Sequence, residues 1–443
     1  MTMDSPRRDR VVAVIGGGFS GLLTAIHLLG RSDHVTVRLI ERAKRLGVGR
    51  AYAAADPDHL LNVRAANMSA FPDRPEHFAE WLAATGAEGG GDAFASRALY
   101  GDYLQALLRE AVGEGAAGRL LLEQDEAVGA APIDGGFEVR LAMGRTIFAD
   151  AIVLAVGSGP PRPAPGAVPE LAASPAYAAN PWSIEAAAFP NGDILLIGTG
   201  LTMVDAVLSL DRPGRRFLAV SRRGLAPHSH APTVPTPPPT GPLDTPARAL
   251  RTLRRLARAT DWRSAVDAIR PVTPAIWRSW GLAERRRFLR HGRAWWDVHR
   301  HRMAPQIAAR IAELRAAGRL EIVAARIERL EPAGDQVTAH LRRRGATAAD
   351  TVSFAAAVNC TGLSGELGGS ALLRDLAAQG LVRPDPLHLG LHVDEGFRAA
   401  PKLYAVGPLT RWGRWETMAV PDLRRQTDEV AGFVLSDLGV PPA

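Results

Sequence analysis

Cysteine is nearly absent: Cys360 is the only one in 443 residues, which excludes an intrachain disulfide, a redox-active dithiol and a thiolate metal cluster. Lysine is almost as scarce. Of 53 basic side chains only Lys44 and Lys402 are lysines, and with so much alanine and glycine alongside, this bias reads as much as a coding preference as a function. No stretch approaches about eighteen uninterrupted apolar residues, so no membrane-crossing helix is expected. What remains is an ordinary globular composition, 47% hydrophobic, long enough for two or three domains. The formal charge of +7 suits anionic ligands or nucleic acid. Arg7, Arg8 and Arg10 precede an apolar run as in a signal peptide. Gly16 to Gly18 interrupt that run and fit a nucleotide loop better, so a cytoplasmic location is expected.

The strongest pattern is Val11 to Gly21, VVAVIGGGFSG. An apolar strand runs into Gly16-x-Gly18-x-x-Gly21 and then into LLTAIHLL, a helix-like stretch. Gly16 makes the tight turn, Gly18 lets backbone approach a pyrophosphate, and Gly21 lets helix and strand pack closely. The helix N-terminus, with Phe19 and Ser20 in its first turn, faces the phosphates. A second strand, VTVRLIE, ends at Glu41, followed by Arg42, about twenty residues beyond the loop, where a carboxylate accepts hydrogen bonds from ribose hydroxyls. The glycines alone are a weak signal; strand, helix and acid together describe a dinucleotide cradle.

A second cradle lies at mid-chain. Asp193 to Gly200, DILLIGTG, runs strand into glycine turn, and LTMVDAVLSL continues with helical spacing. The pattern is Gly198-x-Gly200-x-x-Met203, with Leu201 and Thr202 opening the helix; methionine stands where a small residue normally allows close packing. The next strand, RFLAV, ends at Ser221-Arg222-Arg223 rather than at an acid. Guanidinium groups and a hydroxyl there can hold a 2′-phosphate that a carboxylate would repel, which favours NADPH over NADH. The alternative is a solvated arginine pair at a strand end. FAD at the first cradle and NADPH at the second is the simplest assignment.

Further segments carry a resemblance: Gly49-Arg50-Ala51-Tyr52, His59 to Asp73 (HLLNVRAANMSAFPD), Tyr100-Gly101-x-Tyr103-Leu104, Asn359-Cys360-Thr361-Gly362, and Gly407-Pro408 to Gln426. Together they resemble the FAD/NAD(P)-binding protein family of flavoproteins. That family includes nitrosuccinate-forming amine monooxygenases and is related in fold to ornithine and lysine N-hydroxylases. The resemblance covers both ends and the second cradle and thins out from about Leu225 to Asp350. It implies that Gly16, Gly18, Gly21 and Glu41 hold the ADP half of FAD. Asn62, Val63, Met68 and Ser69 would then lie beside the isoalloxazine, with Gly362, Gly407 and Pro408 also at cofactor; the bland alternative for HLLNVRAANMSAFPD is an irregular loop. It also implies that the helix opening at Pro421-Asp422 turns its N-terminus toward the pyrimidine edge of the flavin, where dipole and free N–H groups stabilise negative charge.

The expected fold is therefore α/β, with two Rossmann-like dinucleotide-binding domains and a helical insertion. Residues 1–175 should begin the FAD domain, 176–350 form the NADPH domain with an insertion at about 225–318, and 351–443 complete the FAD domain, with a break suggested by GSGPPRPAPGAVP. Ala149 to Gly159 and Phe354 to Gly362 read as buried strands ending in glycine, and Lys402 to Gly407 as a further strand. Cys360 reads as a core residue rather than a nucleophile. In the insertion, the proline-rich HSHAPTVPTPPPTGPLDTP should run extended, and the segments after it should form arginine-rich amphipathic helices. No internal repeat is visible. His228 and His230, and His299 and His301, lack the spacing and further ligands of a metal site; no metal is expected. Trp277, Trp280, Trp295 and Trp296 among the arginines could stack nucleobases, yet no nucleic-acid motif accompanies them. A cap gathering a carboxylate-bearing substrate is the preferred use of these arginines.

The expected activity is an FAD-dependent, NADPH-consuming monooxygenase. Through a C4a-hydroperoxyflavin it would oxygenate an amine nitrogen of an amino acid or related small metabolite. Molecular oxygen and that amine are the expected partners, with neither nucleic acid nor membrane. No catalytic side chain is legible. Tyr177-x-x-Asn180-Pro181-Trp182 stands where Baeyer–Villiger enzymes carry a histidine fingerprint, which argues against ketone oxygenation. The alternatives are an FAD-dependent dehydrogenase or reductase that transfers no oxygen, and a non-catalytic nucleotide sensor whose basic helices bind a partner.

Overall fold

The apolar run before Gly16 forms β1 (Arg10–Ile15) and the stretch after Gly18 forms α1 (Phe19–Arg31), in a computed structural model that describes residues 9–53, 59–87, 89–113, 118–362 and 367–441. Val12, Ala13 and Val14 are wholly buried, as a central parallel strand covered on both faces requires. β2 (Val35–Ile40) follows, then α2 (Gly49–Tyr52), α3 (His77–Ala84) and α4 (Arg97–Gly113). β3 (Leu120–Glu123) leads to an antiparallel meander of β4 (Ala127–Ile133), β5 (Gly136–Leu141) and β6 (Thr146–Ala149), and β7 (Ala151–Leu154) returns beside β1.

The plan then recurs. β8 (Tyr177–Ala178), β9 (Gly192–Ile197), α5 (Leu201–Leu210) and β10 (Arg215–Ser221) precede the insertion. The insertion holds α6 (Pro246–Ala259), α7 (Trp262–Ile269), α8 (Thr273–Ser279), α9 (Leu282–Arg287), α10 (Arg293–Arg300) and α11 (Pro305–Ala316). β11 (Leu320–Ala333) pairs with β10, and beyond Ala324 it continues as an antiparallel ribbon, irregular between Ile327 and Arg329, with β12 (Gln336–Arg343) and β13 (Asp350–Phe354). β14 (Ala356–Asn359) closes beside β9. The chain ends with α12 (Ala371–Ala378), β15 (Arg398–Ala400), β16 (Leu403–Ala405) and α13 (Val420–Asp437).

One sheet has the order β15-β16-β7-β1-β2-β3, the other β13-β12-β11-β10-β9-β14-β8. In each, the glycine-turn strand lies between its successor and the strand that returns after the meander. Nucleotides bind doubly wound sheets at this point of reversal, beyond the carboxyl ends of the strands. The expected α/β fold with two Rossmann-like halves is thus present. The repeat invisible in the sequence is architectural, because the halves share strand order and glycine turns rather than side chains.

The chain divides into two units, one from the described residues of 1–57, 63–159 and 365–443, the other from those of 58–62 and 160–364. These limits differ from 175 and 350. Residues 160–175 stay with the second unit because Leu330 N–H donates to Gly166 O and Val168 N–H to Leu330 O, tying them to β11. The run Phe354 to Gly362 holds the expected buried strand as β14, parallel to β9, while Phe354 itself ends β13, which pairs antiparallel with β12. In the second unit β9 sends side chains alternately to two cores. Ile194 and Leu196 join Val207, Leu210 and Leu314 on one face, while Leu195 and Ile197 join Leu330, Val337 and Phe354 on the other. In the first, Ile15, Leu154 and Leu403 pack with Phe137 and Val139 of the meander and with Leu372 and Leu376 of α12. The proline-rich stretch after His228 forms no helix up to α6, because proline removes donors and fixes φ. No helix among the described residues is long and apolar enough to cross a membrane.

Arg215, 2% exposed, opens β10 and closes the ends of neighbouring elements. Its guanidinium donates to the carbonyls of Pro190, Leu210, Ala186 and Phe189. Replacing Arg215 with Leu strands these buried and half-buried acceptors, and we expect a loss of about 2–4 kcal/mol of stability, measured by denaturant unfolding. A loss below half a kcal/mol (~0.5) would show that the carbonyls find water instead.

Candidate functional site

The first cradle is fixed by close backbone approaches. Gly16 has φ 104°, and a Cβ there would lie 2.4 Å from Ala155 O at the end of β7; a Cβ on Gly21 would lie 1.8 Å from Gly16 O. Neither position tolerates a side chain without moving backbone. Gly18 stands at the N-cap of α1. Phe19 is buried beside Tyr100, ring centroids 6.4 Å apart, so this turn offers backbone N–H groups rather than side chains. Glu41 accepts from Gly17 N–H at 2.7 Å and from Ala43 N–H at 2.8 Å. Two such bonds orient the carboxylate and leave lone pairs for further donors such as ribose hydroxyls. Arg42, expected at the cofactor, pairs with Glu126 at 3.0 Å on the exposed surface.

The second cradle reuses this geometry. Gly198 has φ 111°, and a Cβ there would lie 2.6 Å from Cys360 O, just past β14. Gly200 is the N-cap of α5, and among the described residues no side chain caps either α1 or α5. Their first N–H groups therefore remain available to an anion. Met203 is fully buried: α5 lacks the helix-to-loop contact that Gly21 gives α1 and instead drives a long side chain into the core with Val207 and Leu210. Leu201 and Thr202 open α5 in half-buried positions. Gly362, with φ 86°, follows β14 in this second unit.

The three residues expected to meet a 2′-phosphate divide. Thr199 Oγ1 lies in hydrogen-bond contact with both Ser221 Oγ, at 2.9 Å, and the Leu225 carbonyl. Because a carbonyl only accepts, the Thr199 proton goes to Leu225, and Ser221 donates to Thr199 while accepting from Gly224 N–H at 3.0 Å. Arg223 donates to His291 O at 2.9 Å and Arg290 O at 3.2 Å, holding carbonyls at the junction before α10. Arg222 is exposed and makes no such bond among the described residues; its guanidinium is the one of the three groups with its donors open.

Residues 62–70 also divide. Asn62 groups with the second unit, and its carbonyl accepts from His230 Nε2–H at 3.0 Å; Val63 onward belongs to the first. Met68 and Ser69 are buried. The Ser69 hydroxyl is bonded to Arg74 O at 2.6 Å and to Phe71, so this loop offers backbone rather than these side chains to a ligand. A brace that the sequence reading missed holds it: Tyr100 donates to Met68 O at 2.9 Å, and Tyr103 Oη accepts from Ala70 N–H at 3.2 Å and contacts His77 Nδ1 at 2.8 Å. Burial pushes the Tyr103 phenol up to about 12 and holds His77 below its ordinary value, so neutral His77 is the acceptor for the Tyr103 proton. Their spacing, Tyr100-Gly101-x-Tyr103, was the available signal.

Arg424 of α13 donates to Ser69 O at 3.3 Å. Gln426, two residues on, accepts from Gly407 N–H at 2.8 Å and donates to Thr410 Oγ1 at 2.7 Å. A Cβ on Gly407 would lie 3.1 Å from Ser20 Oγ in the first turn of α1, so the Gly407-Pro408 turn reaches the first cradle. α13 has no side-chain cap among the described residues at its N-cap, Ala419. Just before it, Thr417 is 2% exposed and its hydroxyl has no hydrogen-bond partner among the described residues. A buried hydroxyl without a partner beside open N–H groups suits a polar ligand edge such as a flavin pyrimidine.

One histidine from each pair comes together: His228 and His299 have ring centroids 4.6 Å apart, with Trp262 at 5.0 and 4.9 Å. No group of three or more metal-ligating side chains occurs among the described residues.

Residues 13–159 match a family model described as FAD-NAD(P)-binding. Curated relatives include uncharacterized proteins of Mycobacterium bovis and Mycobacterium tuberculosis, each 24% identical over 531 residues, covering 99% of this chain and 97% of the relative. Among solved structures, an L-lysine 6-monooxygenase from Pseudomonas syringae superposes with a TM-score of 0.68 at 17% identity, covering 98% of this chain and 100% of its own. An ornithine N-hydroxylase from Kutzneria sp. 744, solved with reduced FAD, NADP+ and L-ornithine, gives 0.65 at 16% identity over 97% and 99%. A thioredoxin reductase from T. acidophilum gives 0.55 at 14% over 98% and 99%. The fold is that of FAD/NAD(P)-binding flavoproteins.

Arg222→Ala should raise the KM for NADPH by about ten- to a hundredfold, the worth of one charge-assisted contact, and leave that for NADH unchanged. Arg223→Ala should instead lower the melting temperature. Equal effects of Arg222→Ala on both nucleotides in steady-state kinetics would overturn the phosphate assignment.

Proposed function

We propose that this chain is an FAD-dependent, NADPH-consuming monooxygenase that oxygenates an amine nitrogen of an amino acid or related small metabolite. The observation that carries the reading is a pair of open helix N-termini at glycine turns, followed by an oriented carboxylate in one unit and an open guanidinium in the other. FAD, when bound, would supply the redox chemistry for using two electrons from NADPH to place one atom of O2 on the amine nitrogen, the other leaving as water.

The chain's own residues would bind and orient. Gly16, Gly18 and Gly21 leave room for a pyrophosphate at α1, and Glu41 would accept from the ribose. The backbone of Val63, Met68 and Ser69, stiffened by Tyr100, Tyr103 and Arg424, would flank the ring. Gly407, Pro408 and the N-terminus of α13 would meet its pyrimidine edge, where helix N–H groups favour negative charge. Gly198, Gly200 and α5 would receive NADPH, with Arg222 on its 2′-phosphate.

The same fold serves disulfide reductases, and Cys360 argues against that activity here. It is the sole cysteine, it is 4% exposed, and burial holds its thiol above the ordinary range, so no thiolate relay is available. The buried thiol should stay unreactive toward thiol reagents until the protein unfolds, and Cys360→Ser should retain NADPH oxidation.

Mass spectrometry after incubation with NADPH, isotopically heavy oxygen and a panel of amino acids and polyamines should reveal a product carrying one labelled oxygen on nitrogen. NADPH consumption with no oxygenated product from any of them would sink this reading in favour of a reductase.

A further inference from the structure

α6 is a well-formed surface helix with an unusual outward face. Thr245 caps it, accepting from Arg248 N–H at 3.2 Å, and proline stands in its first turn. Ala249 and Thr252 are buried and Leu253 and Leu256 half-buried, which turns this side inward. At 100° per residue the opposite side carries Arg248, Arg251, Arg254, Arg255 and Arg258, all exposed. The helix contains no acidic residue. Arg248 pairs with Asp244 at 2.7 Å; the side chains of Arg251, Arg254, Arg255 and Arg258 make no hydrogen bond or ion pair among the described residues.

Elsewhere in the same unit several arginines are matched with carboxylates: Arg343 with Glu321, Arg342 with Glu328, Arg329 with Glu331, and Arg310 with Asp211 and Glu313. On α6 the four unmatched arginines stand three and four residues apart and repel one another. They cover about 10 Å of helix with a charge density that an anionic surface would relieve.

One large apolar side chain stands on the helix beside these arginines: Leu250 is 46% exposed. A nucleic-acid duplex would meet the arginines and leave Leu250 in water. A lipid surface takes both, with guanidinium groups among anionic headgroups and the leucine at the acyl boundary.

We propose that α6 docks this protein peripherally on an anionic lipid surface. This goes beyond the redox reading, stands without it, and revises the expectation that no membrane is a partner.

The test uses the full-length protein in sedimentation with phosphatidylglycerol–phosphatidylcholine vesicles against pure phosphatidylcholine, at low and high salt, with duplex DNA as a competing probe. The expected result is partition onto the anionic vesicles alone, released as the Debye length falls from about 10 Å to about 3 Å. Partition should weaken about fivefold for each arginine changed to Gln and by roughly several hundredfold for R251Q/R254Q/R255Q/R258Q. Leu250→Gln should weaken partition while preserving its salt dependence, and it decides the matter if the fourfold variant folds poorly by circular dichroism. Equal binding to both vesicles, no binding to anionic vesicles at low salt, unchanged partition of a folded fourfold variant, or binding to DNA but not vesicles would each overturn the proposal.

Discussion

A glycine facing a carbonyl oxygen is the constraint on which both nucleotide cradles depend. Gly16 stands against Ala155 O and Gly198 against Cys360 O, each where the central strand ends beside the strand that returns to it. With no Cβ at these turns, the helix that follows starts directly beyond the strand end. Its uncapped N–H groups then gather where the strand order reverses. The sheets, meanders and returning strands all serve to bring that carbonyl opposite that glycine.

Around the first cradle, distant segments converge through buried hydrogen bonds. Tyr100 and Tyr103 of α4 hold the backbone of residues 68–70, Arg424 of α13 reaches Ser69 O, and Gln426 fixes the turn at Gly407. Because these groups satisfy backbone donors and acceptors out of water, losing one costs more than the bond alone. The loop is thereby made rigid while its backbone stays presentable to a flat ligand.

The arginines show how tertiary placement separates composition from function. Arg215 closes carbonyls in the interior, Arg223 holds the end of a turn, and the arginines of β12 face carboxylates across the sheet. Against that background, open groups stand out: Arg222 beside the second cradle and the outward stripe on α6. In the sequence all of them look alike.

Both cradles were legible in the sequence, because an apolar strand running into spaced glycines and a helix is a local signal, joined at the first by the acid Glu41 at the next strand end. The sequence also determined the class of fold and the burial of Cys360. It could not determine that residues 160–175 belong with the second unit, since that depends on hydrogen bonds to Leu330 of β11, more than 150 residues away in the chain. Nor could it show that His228 meets His299, that Asn62 bonds to His230, or that Ser221 and Arg223 are already engaged. Which side chains are already engaged is set by which segments fold against each other, and that is visible only in three dimensions.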